Sequence, residues 1–205
     1  FLYQLDRYME YFGHAPDSRV RELIAGREVA RDLNPIFADT PVWEGDLRLP
    51  YVVNVSGLKL PQKVGGNVQL LEVIDGAGLE MPKEVTGHLW MSGLERARGL
   101  KLPEIVGGDV DLGSLTSMFG VMPGSHIGGD LAIGSVKKYH RIVGSKPFGY
   151  VGGDVDLSRL VAARGRALLR RVGGDVHKNP RLRGRVPGRY IVGKILDTPE
   201  YGLYN

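Results

Sequence analysis

The feature that most constrains the fold is a seven-residue motif that recurs along the whole chain at nearly constant intervals. The stretch VGGDVDL occurs twice without change, at 106–112 and at 151–157. Related copies begin at Trp43, Val64, Val85, Val106, Ile127, Val151, Val172 and Ile191. Their successive starts are 21, 21, 21, 21, 24, 21 and 19 residues apart. A regular period of this length indicates a solenoid, in which each repeat forms one lap and buries its apolar edge against its neighbours.

The residues around the motif predict the shape of one lap. GLKLP at 57–61 and 99–103, and GLEMP at 78–82, each place a proline three residues before the next motif. The V-x-L unit alternates as a short strand does, with Val110 and Leu112 inward and Asp111 outward. We expect the glycine pair to make a tight turn at backbone angles that a Cβ would oppose, with the proline at the corner before it. Strands of adjacent laps should pair in parallel at about 4.8 Å.

The predicted fold is mainly β, a right-handed parallel β-solenoid of about eight coils of ~21 residues with a helical N-terminal cap. Residues 1–40 break the period and carry apolar residues at helical spacing, with Asp17 or Ser18 as the N-cap and with Pro35 and Pro41 bracketing the exit into the first coil. The predicted domains are therefore the cap at 1–40, the solenoid at 41–196 and a tail at 197–205.

The consensus GLxLPxxVGGDVxLxxL resembles leucine-rich repeats, in particular the short type found in bacterial and bacteriophage proteins. The resemblance covers about residues 41–196 and rests on the period and on the L-x-L-P and G-D-V-x-L units. Common eukaryotic repeats have an Asn after the strand, whereas this chain has Gly-Gly-Asp before it. The resemblance implies a recognition scaffold, shaped either as a horseshoe or as a straighter β-solenoid.

The polar position after the glycine pair forms a column in the aligned copies. Its members are Asp46, Asn67, His88, Asp109, Asp130, Asp154 and Asp175, followed by Lys194 in the last copy. Because Asp and Asn commonly accept a nearby turn N–H, we expect a structural role. A hard-cation site built from Asp109 and Asp111, or from Asp154 and Asp156, is the alternative. A phosphate loop is disfavoured because the motif recurs in every coil and leads into a strand.

Signatures of catalysis are missing from the sequence. The chain has no cysteine, no H-E-x-x-H and no G-x-S-x-G, and acid pairs for glycoside chemistry, which approach in space rather than in sequence, stay open. We expect no enzyme, no catalytic residue, no cofactor and no metal. No apolar run approaches the ~18–20 residues that a membrane span requires. A soluble protein, cytoplasmic or associated with a particle, is the expectation.

The outward strand position, together with His88, is the predicted partner-binding surface. It comprises Arg48, Gln69, His88, Trp90, Asp111, Asp156 and His177. Trp90 is the best single anchor because tryptophan often contributes much of the binding energy at interfaces. Coverage of Trp90 by an end helix or a neighbouring subunit is the alternative.

Positive charge is concentrated in the C-terminal half. Residues 131–194 hold 15 basic and 3 acidic side chains, which suits an acidic protein, nucleic acid or another polyanion as partner, or else a solvated surface. We expect the arginines to share one side or rim of the solenoid. The predicted polyanion-binding set is Arg159, Arg164, Arg166, Arg170, Arg171, Arg181, Arg183, Arg185 and Arg189.

The sequence thus predicts a non-enzymatic protein-binding or assembly scaffold that presents a rigid repeat surface. The alternatives are a polyanion- or nucleic-acid-binding protein that uses the basic half, and a structural component of a larger particle such as a phage virion. Protein partners or neighbouring subunits are the favoured ligands.

Overall fold

One helix is followed by eighteen short strands in the part of the chain that the structure describes. The structure, a computed structural model, describes residues 28–49, 52–140, 147–164, 168–183, 186 and 188–197, with backbone alone at 28, 29, 138–140, 164, 188 and 189. The elements are α1 (Glu28–Asp39), β1 (Val42–Trp43), β2 (Leu47–Arg48), β3 (Lys63–Val64), β4 (Val68–Gln69), β5 (Glu84–Val85), β6 (Leu89–Trp90), β7 (Ile105–Val106), β8 (Val110–Asp111), β9 (His126–Ile127), β10 (Leu131–Ala132), β11 (Lys138–His140), β12 (Phe148–Val151), β13 (Val155–Leu157), β14 (Ala162–Arg164), β15 (Leu169–Val172), β16 (Val176–Lys178), β17 (Gly188–Ile191) and β18 (Ile195–Asp197).

The strands form two parallel sheets of eight strands each. The first sheet has the order β1-β3-β5-β7-β9-β12-β15-β17, and the second sheet has the order β2-β4-β6-β8-β10-β13-β16-β18. Each lap therefore contributes one strand to each sheet, with the glycine pair between them, and β11 pairs with β14 in a small third sheet. The predicted mainly β, parallel solenoid is confirmed. Each lap also has a second strand, not predicted from the sequence, which ends on the first residue of the motif.

Successive laps are also hydrogen-bonded outside the two sheets. Parallel bridges join Asn54, Asp75 and Arg96 on one further side of the lap. On another side, bridges join Lys59, Glu80, Lys101 and Met122. A horseshoe curves because its outer side is spaced more widely than its sheet. Here bridges join the laps as far as Arg96 on the first of these sides and as far as Met122 on the second, which favours the straighter β-solenoid over the horseshoe for this part of the chain.

The core is one continuous aliphatic spine inside the laps. Val110 and Leu112 are 2% and 0% exposed, and Asp111 between them is half-buried, as the alternation predicts. Ala132 pairs in register with Asp111 on one side and Asp156 on the other, which places Leu112 and Leu157 in the same column. Both leucines are buried. Stacking therefore achieves what a single lap cannot, the removal of its apolar edge from water.

The glycine pairs have a different role from the predicted one. Positive φ values of 76–80° occur at Gly57, Gly78, Gly99 and Gly120, each of which lies a few residues before the proline that precedes a motif copy. In the described ranges, no glycine of the pairs has a positive φ. A Cβ on any glycine of the pairs at 107–108, 128–129, 152–153 and 173–174 would instead lie less than 3.0 Å from an atom of the preceding lap. The glycine pairs are thus required by close packing between laps.

Helix α1 lies over the open edge of the first lap. Leu33 and Phe37 are buried, and the Phe37 ring meets the Trp43 ring edge to face at 6.0 Å. Asn34 donates its side-chain N–H to the Gly57 carbonyl and accepts the Lys59 N–H, both at 2.8 Å. The Asn34 side chain thus supplies the hydrogen-bond partners that a preceding lap would provide.

The sequence predicts that the N-terminal region is a helical cap, with Pro35 at its exit and an N-cap at Asp17 or Ser18. Pro35 lies inside α1 rather than beyond its end, which corrects the expectation. The proposed N-caps Asp17 and Ser18 fall outside the described residues. Within those residues, no helix has the length and apolar character needed to cross a membrane.

Candidate interaction surfaces

The column of polar residues after the glycine pairs forms a ladder that runs the length of the solenoid. Each side chain accepts the backbone N–H of the equivalent residue in the next lap, at 2.6–2.9 Å. The acceptors are, in order, Asp46, Asn67, His88, Asp109, Asp130, Asp154 and Asp175, and the last donor is Lys194. The predicted structural role is confirmed, but the bond joins two laps instead of closing a local turn.

The ladder explains why the second glycine of the pair is present in every lap. A Cβ at Gly129 would lie closer than 3.0 Å to Asp109 Oδ1, and one at Gly108 would lie 2.7 Å from His88 Nδ1. The acceptor atom therefore occupies the space that any larger residue would need. Glu44, Thr86 and Val192 occupy the first position of the pair in three laps, although a Cβ at Gly107 or Gly128 would lie closer than 3.0 Å to a carbonyl oxygen of the preceding lap.

His88 belongs to the ladder through its Nδ1 atom, which accepts the Asp109 N–H at 2.9 Å. This bond requires a lone pair on Nδ1, so the neutral ring carries its proton on Nε2. Asp109 Oδ2 also lies 3.1 Å from Nδ1. A protonated His88 would pair with this carboxylate and would release the amide.

Asp46, the first member of the ladder, has a lowered pKa. The main cause is the hydrogen bond from the Asn67 N–H, and the Arg48 guanidinium, 2.7 Å from Asp46 Oδ2, adds to it. Both interactions favour the ionised carboxyl group.

The candidate cation and phosphate sites are occupied by backbone hydrogen bonds. Asp111 and Asp156 accept the N–H two residues on, at 2.8 Å, while Asp109 and Asp154 belong to the ladder. Across the described ranges no three His, Asp or Glu residues are grouped as a metal site. Both glycine amides of the pairs at 107–108, 128–129, 152–153 and 173–174 donate to carbonyls of the preceding lap. Those amides are not free to bind a phosphate.

The predicted partner-binding column lies on the outer face of the second sheet. Trp90 is half-buried and stands in register between Gln69 and Asp111. The Trp90 ring stacks on the His88 ring, with centroids 5.2 Å apart and planes 7° from parallel. Arg48 is exposed at the N-terminal end of the column. These five residues form a continuous surface, here called the Trp90 face.

The C-terminal part of the same column is closed. Asp156 is 4% exposed, as is its neighbour Ala132, which corrects the prediction that Asp156 lies on an open surface. The His177 side chain is 14% exposed, and its Nε2 lies 3.6 Å from Asp154 Oδ2. The open part of the second sheet therefore ends at Asp111.

The predicted basic residues do not share one side, contrary to expectation. Arg170 and Arg171 lie in β15 on the first sheet, Arg159 and Arg181 follow strands of the second sheet, and Arg183 bridges to Ala162 on a third side. All five arginines are exposed. Arg164 and Arg189 lie in β14 and β17 without a described side chain, and Arg166 and Arg185 lie outside the described residues.

The first sheet carries a row of side chains that sequence reasoning missed. His126, Tyr150, Arg171 and Tyr190 are paired in register on four adjacent strands. The His126 and Tyr150 rings stack with centroids 5.0 Å apart, and the Arg171 guanidinium carbon is 5.8 Å from the Tyr150 centroid. Each of the four residues directly precedes a motif copy, and this constant phase was the available signal. These four residues are called the stacking row.

Comparisons with protein-family models, with curated proteins and with solved structures found no match for this chain. The structure supports a parallel repeat solenoid of about 21-residue laps and no narrower family assignment.

Proposed function

We propose that the protein is a non-enzymatic scaffold that binds a protein partner through the Trp90 face. The observation that carries the proposal is the half-exposed Trp90 ring, stacked flat on His88 and set between an amide and a carboxylate. A large amphipathic ring with hydrogen-bonding groups beside it is typical of an interface anchor.

The backbone under the Trp90 face is fixed on both sides. The Trp90 carbonyl accepts the Leu70 N–H at 2.8 Å, and the Met91 N–H donates to the Asp111 carbonyl at 2.9 Å. The His88 ring is restrained by its bond to the Asp109 N–H. A surface that is ordered before binding loses little conformational entropy when a partner docks. This rigidity supports a recognition role.

The charge of the Trp90 face favours a protein partner over a polyanion. Asp111 lies directly beside Trp90, and Asp46 neutralises Arg48 through a 2.7 Å contact. A phosphate backbone would meet the Asp111 carboxylate without a nearby unpaired arginine on this face. An apolar side chain flanked by donor groups would complement both the ring and the carboxylate.

The test is affinity capture of cross-linked complexes from the native source with wild-type protein, Trp90→Ala and Ile105→Ala. Ile105 is the matched control because it is an apolar side chain, 44% exposed, on the outer face of the other sheet. We expect wild type and Ile105→Ala to retain a protein that Trp90→Ala loses, and a purified candidate partner to shift the Trp90 fluorescence. Trp43, the other tryptophan, is buried and provides a constant background.

The result against this function would be an identical set of bound proteins for all three forms. Circular dichroism melts show whether Trp90→Ala keeps its fold. If it does not, Trp90→Phe takes its place, since it keeps an aromatic ring but lacks the indole N–H and part of the contact area.

Polyanion binding is the second candidate function, and the exposed arginines favour it. Arg159, Arg170, Arg171, Arg181 and Arg183 all face solvent in the C-terminal laps. Affinity that falls steeply with salt is the expected signature. A role as a component of a larger particle stays a prediction.

A further inference from the structure

We propose that the stacking row on the first sheet binds single-stranded nucleic acid. Bases stack on Tyr190 at the end of the row, and Arg170 and Arg171 hold phosphates. This inference rests on the second candidate function and names its site and its ligand class.

The row places four planar side chains at equivalent positions of adjacent strands, and three of them, His126, Tyr150 and Arg171, contact one another in series. Equivalent positions of a parallel sheet repeat every ~4.8 Å, and the His126 and Tyr150 ring centroids, 5.0 Å apart, are close to this spacing. The Arg171 guanidinium continues the series next to Tyr150. Aromatic rings together with arginine guanidinium groups are the combination that single-strand-binding proteins use to hold bases without reading their sequence.

Tyr190 is the free end of this series. Its strand β17 is the last strand of the first sheet in the described ranges, so no described strand follows it in that sheet. The residue is 63% exposed, although its position in the sheet is fixed by pairing with Arg171. A base that stacks on this exposed ring extends the series by one member beyond the last described strand.

The surface around the row has the charge that a phosphate chain requires. Strands β9, β12, β15 and β17 contain no acidic residue, and β15 and β17 together contain three arginines. Arg170 and Arg171 are exposed, as is Lys194 in the same lap as Tyr190. The N-terminal half of the same sheet differs, because Glu84 there pairs with Lys63 at 2.7 Å. Among the described strands of the first sheet, positive charge and exposed planar groups therefore occur together only in the C-terminal half.

The experiment is fluorescence anisotropy with a labelled 15-nucleotide oligothymidine at low salt, followed by salt titration. The variants are Tyr190→Ala, Tyr190→Phe and Arg171→Gln, with Lys101→Ala as control. Lys101 is an exposed cation on another side of the solenoid. Inorganic polyphosphate and a DNA duplex are the competitors, because the first lacks bases and the second keeps its bases paired.

We expect Tyr190→Ala to weaken oligothymidine binding by about tenfold, as base–aromatic stacking implies, and Tyr190→Phe to keep most of the affinity. Arg171→Gln should weaken binding and reduce its salt dependence, while Lys101→Ala changes little. Polyphosphate binding should be the same in wild type and Tyr190→Ala. Ultraviolet cross-linking to thymidine should map to β17.

Three results overturn the inference, and they differ in what they leave standing. If polyphosphate or duplex competes as well as the single strand, and Tyr190→Ala changes nothing, polyanion binding stands without base stacking. If cross-links map away from β17, the site is elsewhere. If wild type binds neither oligothymidine nor polyphosphate at low salt, the inference and the second candidate function both fail.

Discussion

Replacing Gly129 with alanine adds one methyl group at the polar ladder and tests whether close packing between laps requires glycine there. Gly129 has no positive φ, so its backbone angles suit alanine. The new Cβ would lie closer than 3.0 Å to Asp109 Oδ1 and 2.9 Å from the carbonyl carbon of Gly108. Because one of these contacts is with backbone of the preceding lap, the two laps must separate locally.

The cost follows from the contacts that this separation removes. The Asp130 N–H to Asp109 Oδ1 bond of 2.8 Å and the Gly129 N–H to Gly108 carbonyl bond of 3.0 Å both lengthen. Each hydrogen bond contributes about 0.5–1.5 kcal/mol net, and overpacking of a close contact adds about 1–3 kcal/mol. We therefore expect Gly129→Ala to lower the free energy of unfolding by about 2–6 kcal/mol, a large share of the ~5–15 kcal/mol typical of a domain.

Gly45→Ala is the matched control. Gly45 holds the same position in the first described lap, and a Cβ there has no atom within 4 Å. Its φ is also not positive. Alanine should be neutral at this site or stabilise by about 0.4–1 kcal/mol, because it restricts the unfolded chain.

The assay is urea unfolding followed by circular dichroism at pH 7, with the midpoint and the slope compared among wild type and both variants. Hydrogen exchange at the Asp130 amide reports the same bond locally, which matters because repeat arrays do not always unfold in one step. A Gly129→Ala free energy of unfolding within ~0.5 kcal/mol of wild type would refute the close-packing explanation. So would an equal loss in Gly45→Ala.

Two further outcomes follow from the N-terminal laps. Since the folded pKa of Asp46 is lowered, its contribution to stability is complete above the unfolded pKa of about 3.9 and is lost as the pH falls through the folded pKa. Urea unfolding from pH 7 down to 2.5 should therefore show that the free energy of unfolding falls less with acid in Asp46→Asn, which keeps the hydrogen-bond acceptor, than in wild type. The same dependence of the free energy of unfolding on pH in both proteins would contradict this. Asn34→Ala removes both hydrogen bonds from α1 to the first lap and should cost about 1–3 kcal/mol. Exchange at the Lys59 amide should accelerate, and unchanged exchange would show that α1 does not protect this edge.

Much of the fold could be predicted because each lap repeats the same short sequence pattern. The positions of Val110 and Leu112 are apolar in the first six aligned copies, and a stack is the arrangement that buries all these copies at once. The strand before each glycine pair was missed for a related reason. The outward residue of this strand varies in type, from Lys63 and Glu84 to Tyr150. Only one outward residue stands beside one buried valine, so the strand is too short to show a periodic pattern in the sequence.

The candidate surfaces were predicted less well, because exposure depends on what lies over each position. The second-sheet column looks uniform in sequence, yet Trp90 is half-exposed and Asp156 is buried. Arg159, Arg171 and Arg183 look like one basic group and lie on different sides of the lap. Their directions are set by where each lap turns, which the charge pattern does not encode.

The sequence by itself determined the winding, since apolar side chains spaced at a constant interval lose contact with water together only when the chain coils upon itself. The tertiary structure alone decided the ladder of side-chain acceptors and the place of the glycines that accommodate it. The atoms of each ladder bond belong to residues 19–24 positions apart. They come within hydrogen-bonding distance only after one lap has been laid on the next, and no single repeat contains that information.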